Sequence, residues 1–308
     1  MENSVLDALL CPICGVEFAP LLRGANVLRC VDGHSFDMAR QGYVNLLTGP
    51  GTKFVEDSAK MVCARDDFLA NGHYQGLANE LSKVVSRPFF APTDSSSLYR
   101  PLIVDAGTGT GWYLQEILLA LGGRVDAIGL DISKFALRRA ARRNPSAANL
   151  VWDIWRELPI VAHRADVVFV VFAPRNAAEF ARVLKPTGLL VVVTPRPGHL
   201  AQIAKLAHML DIQPEKEAAL ATSLADHFEL VDSSTVTLEL ALSPTDVCNV
   251  ALMGPAGHHI NSAELSRNVE GLAELTHVSA EFTISIFRPT AHKAALPQRR
   301  ILTHRPAV

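Results

Sequence analysis

Cys11-Pro12-Ile13-Cys14 places two thiols two residues apart, and Cys30 and His34 follow after a stretch long enough for a short hairpin. Four soft or borderline donors at that spacing suit one tetrahedral zinc ion. All four positions are taken by protein, leaving none for a reactive water, so the expected zinc is structural and stabilises a segment too short to bury a core alone. A second chemical centre begins at Val104-Asp105-Ala106-Gly107-Thr108-Gly109-Thr110-Gly111. Here glycines alternate directly after a β-branched run and before the helical stretch from Trp112, so backbone can approach a ligand where a side chain would block it. A dinucleotide loop reads G-x-G-x-x-G; this one reads D-x-G-x-G-x-G. The anionic Asp105 suits a ligand bearing an ammonium and a sulfonium and opposes a pyrophosphate, which favours S-adenosylmethionine. Asp131 closes the next apolar run, Ile128-Gly129-Leu130, where it can accept both ribose hydroxyls. Asp153 stands where a third strand would end and could meet the adenine amino group, or simply order its own loop.

Short β-branched runs at Leu102 to Val104, Asp126 to Gly129, Val167 to Val171 and Leu189 to Val193 alternate with amphipathic stretches, the pattern of a parallel sheet flanked by helices. The expected fold is α/β, Rossmann-like, with a small N-terminal zinc-binding knuckle. Helices are expected from Ser58 to Ser86, broken near Asn71-Gly72-His73, and after Pro214 a helix, a strand near Thr235 to Ala241, a helix and a strand through Phe282, Ile284 and Ile286. The predicted domains are a zinc-binding RNA-recognition knuckle over 1–40, a linker and helical segment over 41–97, a methyltransferase domain over 98–288 and a flexible basic tail over 289–308. Gly49 to Thr52 reads as a hinge on which the knuckle swings, and the serine-rich Pro92 to Leu98 as a linker.

The chain has 308 residues, 49% of them hydrophobic, enough for a sizeable buried core. Its apolar runs are of strand length and its start lacks a basic, signal-type pattern, so a cytoplasmic location with no membrane contact is expected. Cys63 and Cys248 are expected reduced and partly buried. The net charge of −2 offers no global attraction to a polyanion, so nucleic-acid binding must come from local patches such as Arg138 to Arg143 or the tail.

The sequence resembles the 23S ribosomal RNA (guanine-N1)-methyltransferase family. The resemblance rests on the zinc cysteines with Cys30-x3-His34-Ser35-Phe36-Asp37-Met38-Ala39-Arg40-Gln41-Gly42-Tyr43-Val44-Asn45-Leu46-Leu47, then Asp57-Ser58, Ala64-Arg65, Phe68-Leu69 and Gly72-His73-Tyr74. It continues through the glycine loop, Phe172-Ala173-Pro174-Arg175-Asn176, Leu184-Lys185-Pro186, Thr194-Pro195, His199-Leu200 and Met253-Gly254-Pro255, nearly the whole chain. Thr187, where the family has glycine, and the extension after Arg288 depart from it. The resemblance implies a class I methyltransferase in which Cys11, Cys14, Cys30 and His34 hold zinc while Tyr74, Gly109, Thr110 and His199 line the S-adenosylmethionine site. The runs at 172–176 and 253–255 look more like the macrolide-resistance subgroup, which modifies guanine 748 of a 23S RNA hairpin, than the guanine-745 subgroup.

Phe172, Pro174, Arg175 and Asn176 are accordingly expected at the RNA substrate. Phe172 or Trp112 could stack a flipped base, against a default role in the core. No residue is marked as a general base, and a homodimer is left open. Two other classes share part of the pattern: a small-molecule methyltransferase, which has no need of the knuckle, and a non-catalytic zinc-dependent RNA-binding protein, which has no need of the glycine loop. A dehydrogenase is disfavoured by the glycine spacing.

Overall fold

The computed structural model describes residues 1–22, 24–49, 51–89, 99–122, 125–204 and 216–290. The zinc segment carries the hairpin β1 (Val27–Arg29) and β2 (Ser35–Asp37) and is followed by the short β3 (Val44–Asn45). Helices α1 (Ala59–Ala70) and α2 (Gln75–Ser86) come next, parted at Asn71-Gly72 as the sequence predicts, with the Ser58 hydroxyl capping α1 by accepting the Met61 N–H. Then come β4 (Leu102–Ala106), α3 (Trp112–Ala120), β5 (Asp126–Asp131), α4 (Lys134–Arg143), β6 (Ala148–Val151), β7 (Ala165–Val171), α5 (Ala177–Val183) and β8 (Leu184–Pro195). The chain ends with α6 (Ala201–Ala204), α7 (Lys216–Leu224), β9 (Phe228–Leu242), α8 (Pro244–Met253), α9 (Ser262–Val269) and β10 (Thr276–Pro289).

Among the described residues the main sheet has eight strands in the order β3-β6-β5-β4-β7-β8-β10-β9. The six from β3 to β8 run parallel, and β10 inserts antiparallel between β8 and β9. Strand β4 is fully buried, as a central parallel strand covered on both faces must be. The strand order reverses beside β4, with β5 on one side and β7 on the other. That reversal opens a crevice at the carboxyl ends of the strands, where the Asp105–Gly111 loop emerges.

The structure joins what the linker reading separates. Val44 and Asn45 pair with Leu150 and Val151, so the chain just beyond the zinc ligands is an edge strand of the main sheet. Val5, Leu6, Leu9, Phe18 and Leu28 of the zinc segment share one buried apolar cluster with Leu102, Ile128, Leu150 and Val168 of the sheet. Each such burial is worth about 1.5–3 kcal/mol. Backbone hydrogen bonds from Leu10 N–H to Pro159 O and from Val161 N–H to Ala8 O, 3.0 and 2.9 Å, stitch the two together. The swinging knuckle and a boundary at residue 40 are therefore replaced by a zinc segment docked on the sheet.

Cys63 is exposed rather than partly buried, while Cys248 is half-buried; both are free thiols. The predicted 92–98 linker and all but the first two residues of the predicted tail lie outside the described residues. No helix among the described residues is long and apolar enough to cross a membrane.

Candidate active site and metal centre

Cys11, Cys14, Cys30 and His34 converge, their ligand atoms all within 4.8 Å of one another. Cys14 Sγ lies 3.7 Å from Cys30 Sγ, and His34 Nδ1 lies 3.3, 3.5 and 3.7 Å from the sulfurs of Cys14, Cys30 and Cys11. A tetrahedral ion with zinc–sulfur bonds of about 2.3 Å requires ligand separations of about 3.5–3.8 Å, so the four donors fit zinc. The peptide N–H of His34 donates to Cys30 Sγ at 3.2 Å, a bond that favours the thiolate a metal needs. Phe18 and Phe36 meet edge to face at 5.9 Å inside the same segment.

The cofactor centre is built where β4 and β5 end. Thr108 Oγ1 donates to Asp105 Oδ2 at 2.7 Å; Asp131 accepts the Gly109 N–H at 2.9 Å and the Ser133 N–H at 2.8 Å. Each carboxylate oxygen of Asp131 keeps a lone pair for a ribose hydroxyl. The three loop glycines do different jobs. A Cβ on Gly107 would come within 2.3 Å of Ala173 Cβ, and one on Gly111 within 2.9 Å of Ala140 Cβ, so these two permit close packing of β7 and α4. At Gly109 the nearest atom is 3.8 Å away, the guanidinium of Arg65, so this is where a ligand has room. Thr110 Oγ1 and Tyr113 Oη are buried and, among the described residues, without a hydrogen-bond partner, polar groups that a bound cofactor can satisfy. The site therefore fits S-adenosylmethionine.

Burial pushes the Asp105 carboxyl up to about 7, against the bond from Thr108 and with the help of the neighbouring Asp131 charge. Burial also raises Asp131, opposed by the Ser133 and Gly109 peptide N–H groups and by Arg65. Beside them Tyr74 Oη and His199 Nε2 lie 3.3 Å apart, and His199 Nδ1 is bracketed by the peptide N–H and C=O of Glu281, each at 3.2 Å. Burial lowers His199 to about 4, so it stands neutral at physiological pH and adds no positive charge next to a cationic ligand. Phe282 ties this wall together, its ring 4.8 Å from His199, 5.0 Å from Tyr74 and 5.6 Å from Phe172.

Phe172 is the exposed member, 44% accessible, and its backbone holds φ of 55° at the end of β7. A bulky residue in the left-handed region costs energy that the surrounding packing must offset, and here the ring rests on Phe282 and Tyr113 while staying partly exposed. Trp112, the other stacking candidate, is in the core. Pro174 is exposed and Arg175 half-buried, its guanidinium pKa lowered by burial. Asn176 serves the fold instead: it caps α5 by accepting the Glu179 N–H and donates to Ile154 O. Asp153 likewise orders its loop, accepting from Thr52 Oγ1 at 2.8 Å and Trp155 N at 3.0 Å.

Sequence reasoning assigned no role to Arg65, whose guanidinium pairs with Asp57 at 2.6 Å and bonds to Met253 O beside Gly109. Its signal was Ala64-Arg65 in the family pattern. Tyr113 was missed for want of any motif.

A zinc-ribbon family model described as "RlmA, N-terminal" matches residues 9–49, and a methyltransferase-domain model matches residues 103–188. A protein of Micromonospora griseorubida named "Putative 23S rRNA (guanine-N(1)-)-methyltransferase" is 41% identical over 300 residues, covering 94% of this chain and all of the relative. The "23S rRNA (guanine(748)-N(1))-methyltransferase" of Streptomyces fradiae is 39% identical over 289 residues, covering 94% of this chain and 99% of the relative. Among solved structures, a SAM-dependent methyltransferase from Geobacter sulfurreducens in complex with S-adenosyl-L-homocysteine overlays with a TM-score of 0.43 at 13% identity, covering 69% of this chain and 91% of that one.

Proposed function

Because this chain belongs to the 23S ribosomal RNA (guanine-N1)-methyltransferase family, we propose that its target is guanine 748, within a hairpin of that RNA, and that the modification protects its host from tylosin-type macrolides. The observation that carries the reading is 39% identity along nearly the whole of both chains with the guanine-748 enzyme of Streptomyces fradiae, and a half-exposed Phe172 next to the Ala173 that meets Gly107 supports it.

S-adenosylmethionine supplies the electrophilic methyl group. The chain's own residues then have three tasks. Asp131 orients the ribose through its free lone pairs, and Asp105 faces the methionine ammonium with a carboxylate that ionises on binding. Gly109, Arg65, Tyr74 and His199 would line the cofactor site, with Gly109 letting the backbone approach the ligand closely. Phe172 stacks the flipped guanine, with Pro174 and Arg175 along the rim and Arg175 attracting the phosphates. Catalysis on this reading is largely positioning: N1 must be held in line with the sulfur, so that the N1–methyl bond forms as the sulfur–methyl bond breaks, S-adenosylhomocysteine leaves and the N1 proton passes to water. Zinc, held by four ligands of the N-terminal segment alone, would fold that segment and take no part in the transfer.

Primer extension on 23S RNA from cells with and without the gene tests the proposal, because N1 methylation blocks Watson–Crick pairing and halts the polymerase. A gene-dependent stop at guanine 748, with raised tylosin tolerance, is expected. A stop at guanine 745 overturns the site assignment, and turnover of a small-molecule acceptor with no stop overturns the RNA reading.

A further inference from the structure

Away from the methyl-donor loop, a groove runs along α4 between Gln41, just beyond the zinc segment, and Gln115 of α3. Phe135 lines it, and four arginines, Arg138, Arg139, Arg142 and Arg143, edge it. The inner two are fixed: Arg139 and Arg143 share Asp66 of α1 at 3.1 and 2.8 Å, and Arg143 also donates to Thr110 O at 2.9 Å. The outer two are exposed and, among the described residues, have no carboxylate partner. Arg138 lies 5.5 Å from the Phe135 ring, which holds its guanidinium over the groove. Four arginines against one aspartate concentrate positive charge on a chain whose net charge is −2, so this attraction is local.

We propose that this groove binds the phosphate backbone of the substrate RNA, resting on the reading of the chain as an RNA methyltransferase. The geometry favours an RNA strand over a compact anion. Arg138 and Arg142 stand four residues apart on α4, about 6 Å along its axis, presenting two charges in a row. The groove also lies close to the chemistry. Helix α1 turns Asp66 toward it and the adjacent Arg65 toward Gly109, so groove and cofactor loop flank one helix, about 10 Å across. A strand in the groove therefore reaches the pocket within a few nucleotides. One wall belongs to the chain that follows the zinc ligands, where Gly42 approaches Ala141 and Tyr43 packs on Leu137 and Ala140. Docking the zinc segment on the sheet thus builds the groove.

The test is fluorescence anisotropy of a labelled 23S hairpin RNA against the full zinc-loaded chain over a salt series. For R138A/R142A the slope of log affinity against log salt should shrink by about 1.4, the share of two single-strand phosphates, and affinity at low salt should fall about tenfold or more. Affinity for S-adenosylmethionine should match wild type, and R138K/R142K should keep most of the slope. An unchanged slope and affinity in R138A/R142A overturns the groove. A wild-type chain that binds the hairpin with the predicted slope but methylates no guanine would overturn the functional reading alone.

Discussion

Raising the pH from 5.5 to 7.0 should tighten S-adenosylmethionine binding by about tenfold, and the reason is one buried carboxyl. Asp105 sits at the end of a central strand with its side chain out of water, and its pKa is pushed up to about 7. In the ligand-free protein it is about 3% ionised at pH 5.5 and about half ionised at pH 7.0. A ligand carrying an ammonium binds the ionised form, so its apparent affinity follows that fraction. The ligand's own α-amino group, with a pKa of about 7.7–8.0, stays charged throughout. Binding should also release close to one proton at pH 6, measurable by calorimetry in two buffers of different ionisation enthalpy. The linked effect on stability has the opposite sense. A pKa raised on folding stabilises the protein fully below the unfolded value of 3.8 and loses that contribution as pH rises through about 7. Asp105→Asn should flatten the pH dependence of binding. A wild-type affinity that is flat between pH 5.5 and 7.0, or an Asn variant that keeps the slope, would refute the reasoning.

Cys30→Ser should remove zinc and lower the melting temperature of the whole chain by about 10 °C or more in one transition, because the zinc segment shares its core with the sheet; two separate calorimetric transitions would contradict this. Gly107→Ala should cost about 2–4 kcal/mol, since its Cβ would overlap Ala173 and its φ is +88°, whereas Gly109→Ala, at φ +54° but with no atom nearer than 3.8 Å, should cost only about 1–2 kcal/mol and lose cofactor affinity. Melting curves and cofactor titrations on the pair would separate the roles, and equal melting of the Gly107 variant and wild type would dismiss the packing argument. Phe172→Ala should reduce kcat/KM for RNA by about five- to a hundredfold, the worth of one stacked base, with cofactor affinity retained; an unchanged kcat/KM would remove Phe172 from the substrate.

Some of this molecule was legible because the information is local. Two thiols on one tight turn, and a thiol with a histidine on another, carry their own ligand geometry, so spacing alone gave the zinc set. The glycine loop with Asp105 and Asp131 was legible for the same reason, as was the break at Asn71-Gly72 between two amphipathic helices. The alternation of β-branched runs and helices marked the parallel sheet. It did not show that β10 inserts antiparallel beside β8, since strand order depends on pairings between distant segments. Gly107 and Gly109 look alike in sequence. A Cβ on one would clash with Ala173 of the loop after β7 and on the other would only touch the flexible Arg65 side chain, a difference set by segments far away in the chain.

The amino-acid sequence by itself determined which chemistry is present: soft donors for one metal, a glycine loop with an acidic start for one cationic cofactor, and the family pattern linking them. Tertiary structure alone decided that Tyr74, His199, Phe172 and Phe282 form one wall, that Arg65 overlies Gly109, and that the zinc segment is fused to the sheet. The physical reason is burial. Apolar side chains scattered along the chain are driven into shared clusters, and that packing, which no short window encodes, sets which groups meet and how far Asp105 and His199 depart from their ordinary protonation.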